Sequence, residues 1–360
     1  MSIYPALNIY HKVMVRLFYK RIKISGKEKV PLETPKVFVT NHQNAFLDAI
    51  IMAAVMKEPL HFLTRASVFK KPFVKWLLSL VNMMPIYRIR DGLAAVKKND
   101  EVFEKCIDIL QNKGSLLIFA EGNHSLQRSL RPLQKGVSRI VFEAERRNAF
   151  NLTIQVIPVG MNYDNHSAFR DNFFMNIGDP IPVKDFEKEY ETKDGEAMNS
   201  LKNRLSDELK PLILTINDEN YSQTERIWLE NRKRQKDLKE QFDYDQKLIY
   251  AIESGEFKEE GKNKILEKKY FWANPICWYA AINHFFPFFI MSLILKPIKD
   301  RAFWASLKFT LGYVLVPLFY SIQFILVYAL SNNLAISLAY LFSLPLIGLA
   351  VYDYYKSTAL

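Results

Sequence analysis

The most informative segment of this chain reads Lys36-Val37-Phe38-Val39-Thr40-Asn41-His42-Gln43-Asn44-Ala45-Phe46-Leu47-Asp48. Its first five residues predict a β-strand, because four of them are β-branched or aromatic. His42 follows that strand, and a carboxylate, Asp48, lies just beyond it. Histidine has an unperturbed pKa close to neutral, so a His42 oriented by Asp48 can take a proton from a hydroxyl at physiological pH. The segment alone fits a hydrogen-bonded structural histidine equally well, and its context has to decide.

The surrounding sequence predicts an α/β domain. Between about residues 36 and 214, short strand-like runs alternate with helix-like stretches. The clearest strands are predicted at 36–40, 115–119 and 153–159, and a helix is predicted over 93–111. This alternation is typical of a mainly parallel central sheet with flanking helices, in which chemistry gathers at the strand ends.

Composition narrows the classes of partner. The chain has 360 residues and is 49% hydrophobic, which excludes disorder as its main character. Its 49 Lys and Arg outnumber its 38 Asp and Glu and give a net charge of +11, so an anionic partner is expected. The two cysteines, Cys106 and Cys277, lie far apart in sequence, which argues against a disulfide framework and favours a reducing compartment.

Two long apolar runs indicate an integral membrane protein. Residues 309–330 and 334–352 each approach the length of about 20 residues that crosses a bilayer as a helix. The apolar segment 270–295 is interrupted by proline and asparagine and has basic residues on both sides, so it is predicted to form a re-entrant or interfacial hairpin. The two runs are expected to cross the bilayer out and back, so that Lys356 and the domain before the runs lie on the cytoplasmic side.

Four regions follow from these patterns. Residues 1–22 form a basic amphipathic pattern that fits a helix on the membrane surface and, equally well, a helix packed on the domain. Residues 23–217 are the α/β domain. Residues 218–269 are dense in both charge signs and predict a charged, solvated helical linker with a turn near 253–255. Residues 270–360 are the transmembrane helical region.

Basic residues follow a second predicted strand. This block reads Met84-Pro85-Ile86-Tyr87-Arg88-Ile89-Arg90. In an extended segment Arg88 and Arg90 share one face and can grip a phosphate by charge-assisted hydrogen bonds. Two arginines alone fit a solvated surface as well.

A third block places a carboxylate and a glycine after a strand. It reads Phe119-Ala120-Glu121-Gly122-Asn123-His124-Ser125. Glu121 is fixed at the edge of the sheet, and Gly122 lets the backbone approach a ligand closely. Lys135 adds a cation at the predicted start of a helix, where anions bind. A turn with Glu121 in a salt bridge is the structural alternative.

The fourth block is a strand that contains a proline, which is typical of a sheet edge or strand end. It reads Val156-Ile157-Pro158-Val159-Gly160-Met161-Asn162-Tyr163. Pro158 is expected to shape the wall of the site. Further on, Arg170 is either a second anion-binding cation or a structural residue.

The four blocks, in this order, resemble the four motifs of the glycerolipid acyltransferases, which include glycerol-3-phosphate and 1-acylglycerol-3-phosphate acyltransferases. The resembling motifs are Asn-His…Asp, Pro-Ile-Tyr-Arg, Phe-Ala-Glu-Gly and Val-Ile-Pro-Val, spread over roughly residues 20 to 215. Four ordered motifs are far more specific than one.

The resemblance implies roles for individual residues. His42 would deprotonate the acceptor hydroxyl, and Asp48 would orient it. Arg88 would bind the glycerol phosphate together with Glu121 and Gly122. Pro158 would help to form the acyl-donor region, and Asn41 completes the first motif as a substrate-binding residue.

Three positions depart from the family pattern. Five residues separate His42 from Asp48 where the family usually has four, a spacing that resembles a subgroup with fungal-type glycerol-3-phosphate acyltransferases. Ala120 replaces the usual proline. Asn123-His124 replaces the usual Thr-Arg, and Arg88, Lys135 or Arg170 would then supply the missing phosphate contact.

The predicted activity is therefore acyl transfer from an activated thioester, with no metal and no cofactor, to glycerol 3-phosphate or its monoacyl form. The thioester donor is acyl-CoA or an acylated acyl-carrier protein, with an acyl phosphate as an open alternative to a thioester. The other partner is a phospholipid membrane. The alternatives are an acyltransferase for another lysolipid or polar acceptor, and a non-catalytic lipid-binding membrane protein. Nucleic-acid binding rests only on net charge and is disfavoured, because the basic residues do not cluster with aromatic strands.

Overall fold

The computed structural model describes residues 4–56, 58–79, 81–87, 94, 97–217, 220–258 and 274–356. The chain divides into two compact units. The first unit comprises residues up to His166 together with 171–258, and the second comprises 167–170 together with residues from 259 onwards.

The first unit is built on a mainly parallel sheet. Its strands in the described residues are β1 (Tyr19–Ser25), β2 (Lys36–Thr40), β3 (Leu60–Arg65), β4 (Met83–Ile86), β5 (Ser115–Ile118), β6 (Gln155–Tyr163), β7 (Asp171–Ile177) and β8 (Ile181–Pro182). They lie in the order β1-β7-β6-β2-β5-β3-β4, with β8 beside β6. The β6–β7 and β6–β8 pairs are antiparallel, and the other neighbouring pairs are parallel. The predicted α/β fold class is confirmed.

Helices cover the sheet. In the part of the first unit that the structure describes, the helices are α1 (Tyr4–Phe18), α2 (Phe46–Val55), α3 (Pro72–Ser79), α4 (Asn99–Gln111), α5 (Gly136–Arg147), α6 (Glu187–Thr192), α7 (Asp194–Leu209), α8 (Tyr221–Asn231) and α9 (Leu238–Glu253). Strands β2 and β5 are buried along their whole length, as expected for central parallel strands covered on both faces. Apolar side chains of α4, α5 and α7 pack against β2, β5 and β6 in one core.

Pro158 lies in an interior strand, so the prediction that it marks a sheet edge or strand end is wrong. Along β6, Val156 pairs with Ile181 of β8, whereas Val159 pairs with Ile177 of β7. Pro158 lies between these two pairings, where the partner strand changes. Its missing N–H therefore removes no bond to either partner, and its carbonyl accepts a hydrogen bond from Gly178.

Helices α8 and α9 belong to the first unit and are not merely a solvated linker. Trp228 of α8 is fully buried, and it packs in one cluster with Phe174 of β7 and Phe242 of α9. The many charged residues of this region make its apolar face hard to recognise in the sequence. The predicted turn after α9 is present, with Gly255 at φ 75°.

Helix α1 has two different faces. Val15 and Phe18 are buried, and the helix packs against α2. Ile9, Val13 and Leu17 are exposed at helical spacing. Strand β1 begins at Tyr19, so the helix ends before the predicted residue 22. Its contact with a membrane stays a prediction.

Within its described residues the second unit contains three apolar helices, α10 (Pro275–Leu295), α11 (Ala302–Ser331) and α12 (Leu334–Lys356). Each is long and apolar enough to cross a membrane. Helix α10 is continuous, so the predicted hairpin over 270–295 is wrong where the structure describes it. Asn274 caps the first turn and Pro275 occupies the first helical position, so this pair begins the helix.

Polar side chains within this unit bond to one another. The ring of His284 contacts the Ala280 carbonyl and the Tyr320 hydroxyl, both at about the distance of an ordinary hydrogen bond. Tyr340 donates to Gln323 over 2.9 Å. Satisfied polar groups of this kind are what an apolar environment requires, and they allow α10 to continue through its asparagine and histidine.

Candidate active site

His42 and Asp48 are in direct contact. Nδ1 of His42 lies 2.8 Å from Oδ2 of Asp48. A tight turn lies between the two residues, in which the N–H of Leu47 donates to the carbonyl of Asn44 and Ala45 takes φ 46° and ψ −130°. These are close to the angles of the second residue of a type II′ turn. Helix α2 then begins at Phe46 and carries Asp48 in its first turn.

Asp48 is fully buried, and both of its carboxylate oxygens are hydrogen-bonded. Oδ2 accepts from the backbone N–H groups of Gln43 and Asn44, each over 2.9 Å, in addition to His42. Oδ1 accepts from the Tyr163 hydroxyl at the end of β6. Two backbone donors and one phenol hold this carboxylate in a single orientation, which fixes the imidazole in turn.

His42 is suited to act as a base. Its ring stacks on Phe119, with centroids 3.9 Å apart, and its side chain is 14% exposed. Burial lowers the pKa of His42 below its usual value of 6.5, while the hydrogen bond to Asp48 acts in the opposite direction. The imidazole is therefore neutral at pH 7. With Nδ1 donating to Asp48, the lone pair that can accept a proton is at Nε2.

Asn41 has a positioning role. Its Nδ2 donates to the Met161 carbonyl over 3.0 Å, and its Oδ1 accepts from the Met161 N–H over 2.8 Å. This buried, two-way clamp joins the end of β2 to β6 and fixes the start of the turn that carries His42. The substrate-binding role implied for Asn41 stays a prediction, and in the structure its amide is buried and bonded to Met161.

Glu121, three residues after the end of β5, belongs to a cluster with two arginines. Nε of Arg131 donates to its Oε2 over 2.7 Å, and the same guanidinium also bonds the Asn123 carbonyl. Arg65, the last residue of β3, donates to the Asn123 side chain. Burial raises the pKa of Glu121 to about 7, while Arg131 acts to lower it. The turn itself needs Gly122, which has φ 70°.

The other predicted site residues are not all brought together. Arg88 lies outside the described residues, so its role stays a prediction. Lys135 is exposed and immediately precedes α5. Pro158 is buried within β6. Arg170 belongs to the second unit, where its guanidinium binds both oxygens of Asp353, so its charge is already neutralised there.

Three residues of the site are not apparent from sequence motifs. Arg131 binds Glu121, and the third motif itself contains no arginine. The only sequence signal for this contact was a basic residue ten positions after Glu121. Tyr163 closes the fourth motif and contacts Asp48. Arg128 donates to the Tyr163 carbonyl over 2.7 Å and lies over the ring of Trp228.

A buried polar network extends from Arg128 to the α8–α9 pair. Arg232 also lies over the Trp228 ring, and the two guanidiniums are each 4.8 Å from its centroid. Trp228 Nε1 donates to Asp245 over 3.0 Å, and Arg232 pairs with Asp164 and Asp245. Because Arg128 bonds the end of β6, this network supports the strand that presents Tyr163 to Asp48.

Within the described residues, no group of three His, Cys, Asp or Glu side chains could hold a metal ion. The arrangement is a buried acid–histidine pair beside an arginine-rich rim. Such a site can remove a proton from a hydroxyl and bind an anionic group near it.

The sequence matches known proteins over this domain. Residues 21–162 match the family model described as Acyltransferase. The chloroplastic 1-acyl-sn-glycerol-3-phosphate acyltransferase of Arabidopsis thaliana is 30% identical over 129 residues, which is 36% of this chain and 34% of that protein. Glycerol-3-phosphate O-acyltransferase 1 of Saccharomyces cerevisiae is 20% identical over 298 residues, covering 59% of this chain and 38% of that protein.

Among solved structures, the chain is similar to the 1-acyl-sn-glycerophosphate acyltransferase of Thermotoga maritima, with 19% identity and a TM-score of 0.39 over 56% of this chain and 78% of that one. The matches span about a third of the length of the curated relatives. The family model and these relatives show that this domain is similar to known acyltransferases.

Proposed function

We propose that this chain is a membrane-bound O-acyltransferase that transfers a fatty acyl group from a thioester to a hydroxyl of glycerol 3-phosphate or 1-acylglycerol 3-phosphate in phospholipid synthesis. The observation that carries the proposal is the 2.8 Å contact between His42 and a buried, fully hydrogen-bonded Asp48 at the carboxyl ends of parallel strands. The relatives from Arabidopsis and yeast are named for the same two acceptors.

The chemistry follows from the neutral imidazole. Nε2 of His42 takes the proton of the acceptor hydroxyl, and the hydroxyl oxygen attacks the carbonyl carbon of the thioester. The tetrahedral intermediate collapses, the C–S bond breaks, and the proton held by His42 passes to the departing thiolate. Asp48 stabilises the imidazolium that exists between these two proton transfers. The acyl donor, acyl-CoA or acyl-carrier protein, is a substrate and not a resident cofactor.

The arginine cluster supplies the acceptor site. Arg65 and Arg131 both contact Asn123, and guanidinium groups bind phosphate through paired hydrogen bonds. In this proposal they hold the acceptor phosphate together with Arg88 and Lys135. Oε1 of Glu121 is buried without a hydrogen-bond partner among the described residues, and a hydroxyl of the glycerol unit would supply one.

The membrane helices fit this substrate class, because acyl chains and the product partition into a bilayer. A cytoplasmic catalytic domain is part of the proposal and is supported by the lysine and arginine residues that flank the apolar segments.

The test is acyl transfer by the purified full-length chain in phospholipid nanodiscs. Both acceptors are offered with acyl-CoA and with acyl-carrier protein, and products are identified by mass spectrometry. His42→Ala should abolish turnover. The control is His61→Ala, which should leave turnover unchanged, because His61 lies near the amino end of β3, away from the site. Undiminished activity of His42→Ala would overturn the proposal.

The phosphate site has its own test. Arg131→Ala should raise KM for the acceptor more than it lowers kcat, because Arg131 contacts bound phosphate and not the reacting carbonyl. Arg139→Ala, an exposed arginine on α5, is the matched control. A pure kcat effect of Arg131→Ala would contradict this assignment.

A further inference from the structure

One stretch of the acyltransferase domain has a strongly one-sided charge. Residues 59–90 contain three lysines and three arginines and no aspartate or glutamate. Elsewhere the domain mixes both signs, as in α4, where Asp100 and Glu101 open the helix. A local field of one sign is expected to attract an extended anionic surface.

The middle of this stretch exposes apolar and basic side chains together. It forms a single 3₁₀ turn, Ala66–Phe69, followed by helix α3. Val68 is 45% exposed and Trp76 is 56% exposed. Lys70, Lys71 and Lys75 are exposed between them. We call these five residues the lysine–tryptophan patch.

We propose that the lysine–tryptophan patch docks on the surface of an anionic phospholipid bilayer. Trp76 and Val68 enter the interfacial layer, where the amphipathic indole ring is favoured over water. Lys70, Lys71 and Lys75 lie against the lipid phosphates, with their aliphatic stems along the interface. Each lysine near an anionic leaflet strengthens binding about five-fold, so three contribute roughly a hundredfold.

Charge complementarity selects this occupant. A neutral apolar partner would offer no negative charge to the three lysines, and the patch has no carboxylate of its own to neutralise them. An anionic lipid surface satisfies the lysines and the apolar side chains at the same time.

The position of the patch gives the docking a consequence for the proposed function. The patch begins directly after Arg65, whose guanidinium donates to Asn123 in the candidate site. Strand β3 runs parallel to β5, and β5 runs parallel to β2. The patch after β3 and His42 after β2 therefore both lie at the carboxyl ends of the strands. Docking would therefore hold the rim of the site at the lipid surface from which a monoacyl acceptor arrives. This consequence rests on the proposed function, whereas the docking itself does not.

The experiment measures the environment of Trp76 in the full-length chain. Wild type and Trp76→Phe are reconstituted in nanodiscs of phosphatidylcholine, with or without phosphatidylglycerol, and the difference between their fluorescence isolates Trp76. Lipids brominated near the headgroup should quench this difference signal strongly in the anionic discs and weakly in the zwitterionic discs. Since no turnover is needed, the result is independent of whether the acyl transfer proposal holds.

A charge-matched pair of variants tests the lysines. Replacing Lys70, Lys71 and Lys75 with glutamine should abolish the quenching at physiological salt. Replacing three other exposed lysines, Lys184, Lys188 and Lys210, should leave it intact. Equal quenching in both lipid mixtures would overturn the anionic partner. A Trp76 that is shielded from acrylamide and unquenched by brominated lipid would reveal a protein cover and overturn the proposal.

Discussion

Replacing Asp48 with asparagine should remove the charge behind His42 and leave the local structure almost intact. Oδ2 of Asp48 accepts from His42, Gln43 and Asn44, and Oδ1 accepts from Tyr163. An asparagine that places its oxygen at the Oδ2 position keeps the first three bonds. Its amide nitrogen can donate to the Tyr163 oxygen, because a hydroxyl also accepts. The tautomer of His42 should therefore persist.

The size of the effect follows from the lost charge. When His42 takes the substrate proton it becomes an imidazolium, and Asp48 is fully buried beside it, where water does not screen the pair. Two unit charges about 4 Å apart attract by about 4 kcal/mol at an effective dielectric constant near 20. Losing that attraction lowers kcat by about a thousandfold. KM for the acceptor should change little, because the side chain of Asp48 is fully buried and cannot contact the substrate.

The assay is steady-state acyl transfer in nanodiscs, with thermal unfolding of each variant as a check of the fold. Asp108→Asn, an exposed aspartate on α4, is the charge-matched control and should behave like wild type. A kcat within tenfold of wild type for Asp48→Asn would refute the electrostatic role. A loss confined to KM would assign Asp48 to acceptor binding instead.

Three further outcomes are expected. Tyr163→Phe leaves an oxygen of Asp48 without its donor, so the free energy of unfolding should fall by about 2 kcal/mol and kcat by about tenfold, measured by thermal unfolding and kinetics. Burial lowers the pKa of His42, so kcat/KM measured against pH should lose activity only as the pH falls, with a midpoint below 6.5. Burial raises the pKa of Glu121 to about 7, so the folded state binds more protons than the unfolded state between pH 4.5 and 7. Stability should therefore decline as pH rises through that window, and Glu121→Gln should flatten the decline in thermal unfolding measurements.

Local patterns in the sequence predicted those elements that a short apolar run is enough to identify. Strands β2 and β5 are short apolar runs buried on both faces, and their composition shows this directly. Helices α11 and α12 were predicted for the same reason, since about 20 consecutive apolar residues have few alternatives to a membrane helix.

Contacts between distant residues could not be predicted from the sequence. Tyr163 and Asp48 are 115 positions apart, and only the parallel pairing of β2 with β6 brings them together. The role of Asn41 was hidden for the same reason, because its partner is the backbone of Met161 on β6. Motif reasoning assigns roles to positions, but it does not show which side chains are already bonded within the fold.

Charge density was a misleading signal for α8 and α9. A run rich in both signs is usually solvated, yet here Arg232 pairs with buried Asp245 and lies over Trp228. Burying such ions is favourable only when their hydrogen bonds are satisfied, which depends on the assembled fold. In α10 the proline and polar residues suggested a break. Its Asn283 and His284 instead bond to carbonyls one turn earlier, and the helix continues.

The extra residue between His42 and Asp48 offers a last test of the site geometry. Ala45 has φ 46° and ψ −130°, a conformation that glycine adopts readily and that strains any residue with a Cβ. Relief of about 2 kcal/mol of strain, less roughly 1 kcal/mol for the greater chain entropy of glycine, predicts that Ala45→Gly stabilises the fold by about 1 kcal/mol. The melting temperature should rise by about 2–4 °C with kcat unchanged.

Ala53→Gly is the matched control, because it lies in the regular part of α2, where glycine destabilises by about 1 kcal/mol. The two alanine-to-glycine changes should thus shift thermal unfolding in opposite directions. If Ala45→Gly destabilises as Ala53→Gly does, the turn is not of the type II′ kind. The extra residue would then be absorbed elsewhere, and the register that brings Asp48 to His42 would have to be redrawn. Opposite shifts would instead support a strained turn at Ala45 as the link that brings Asp48 to His42 across five intervening residues.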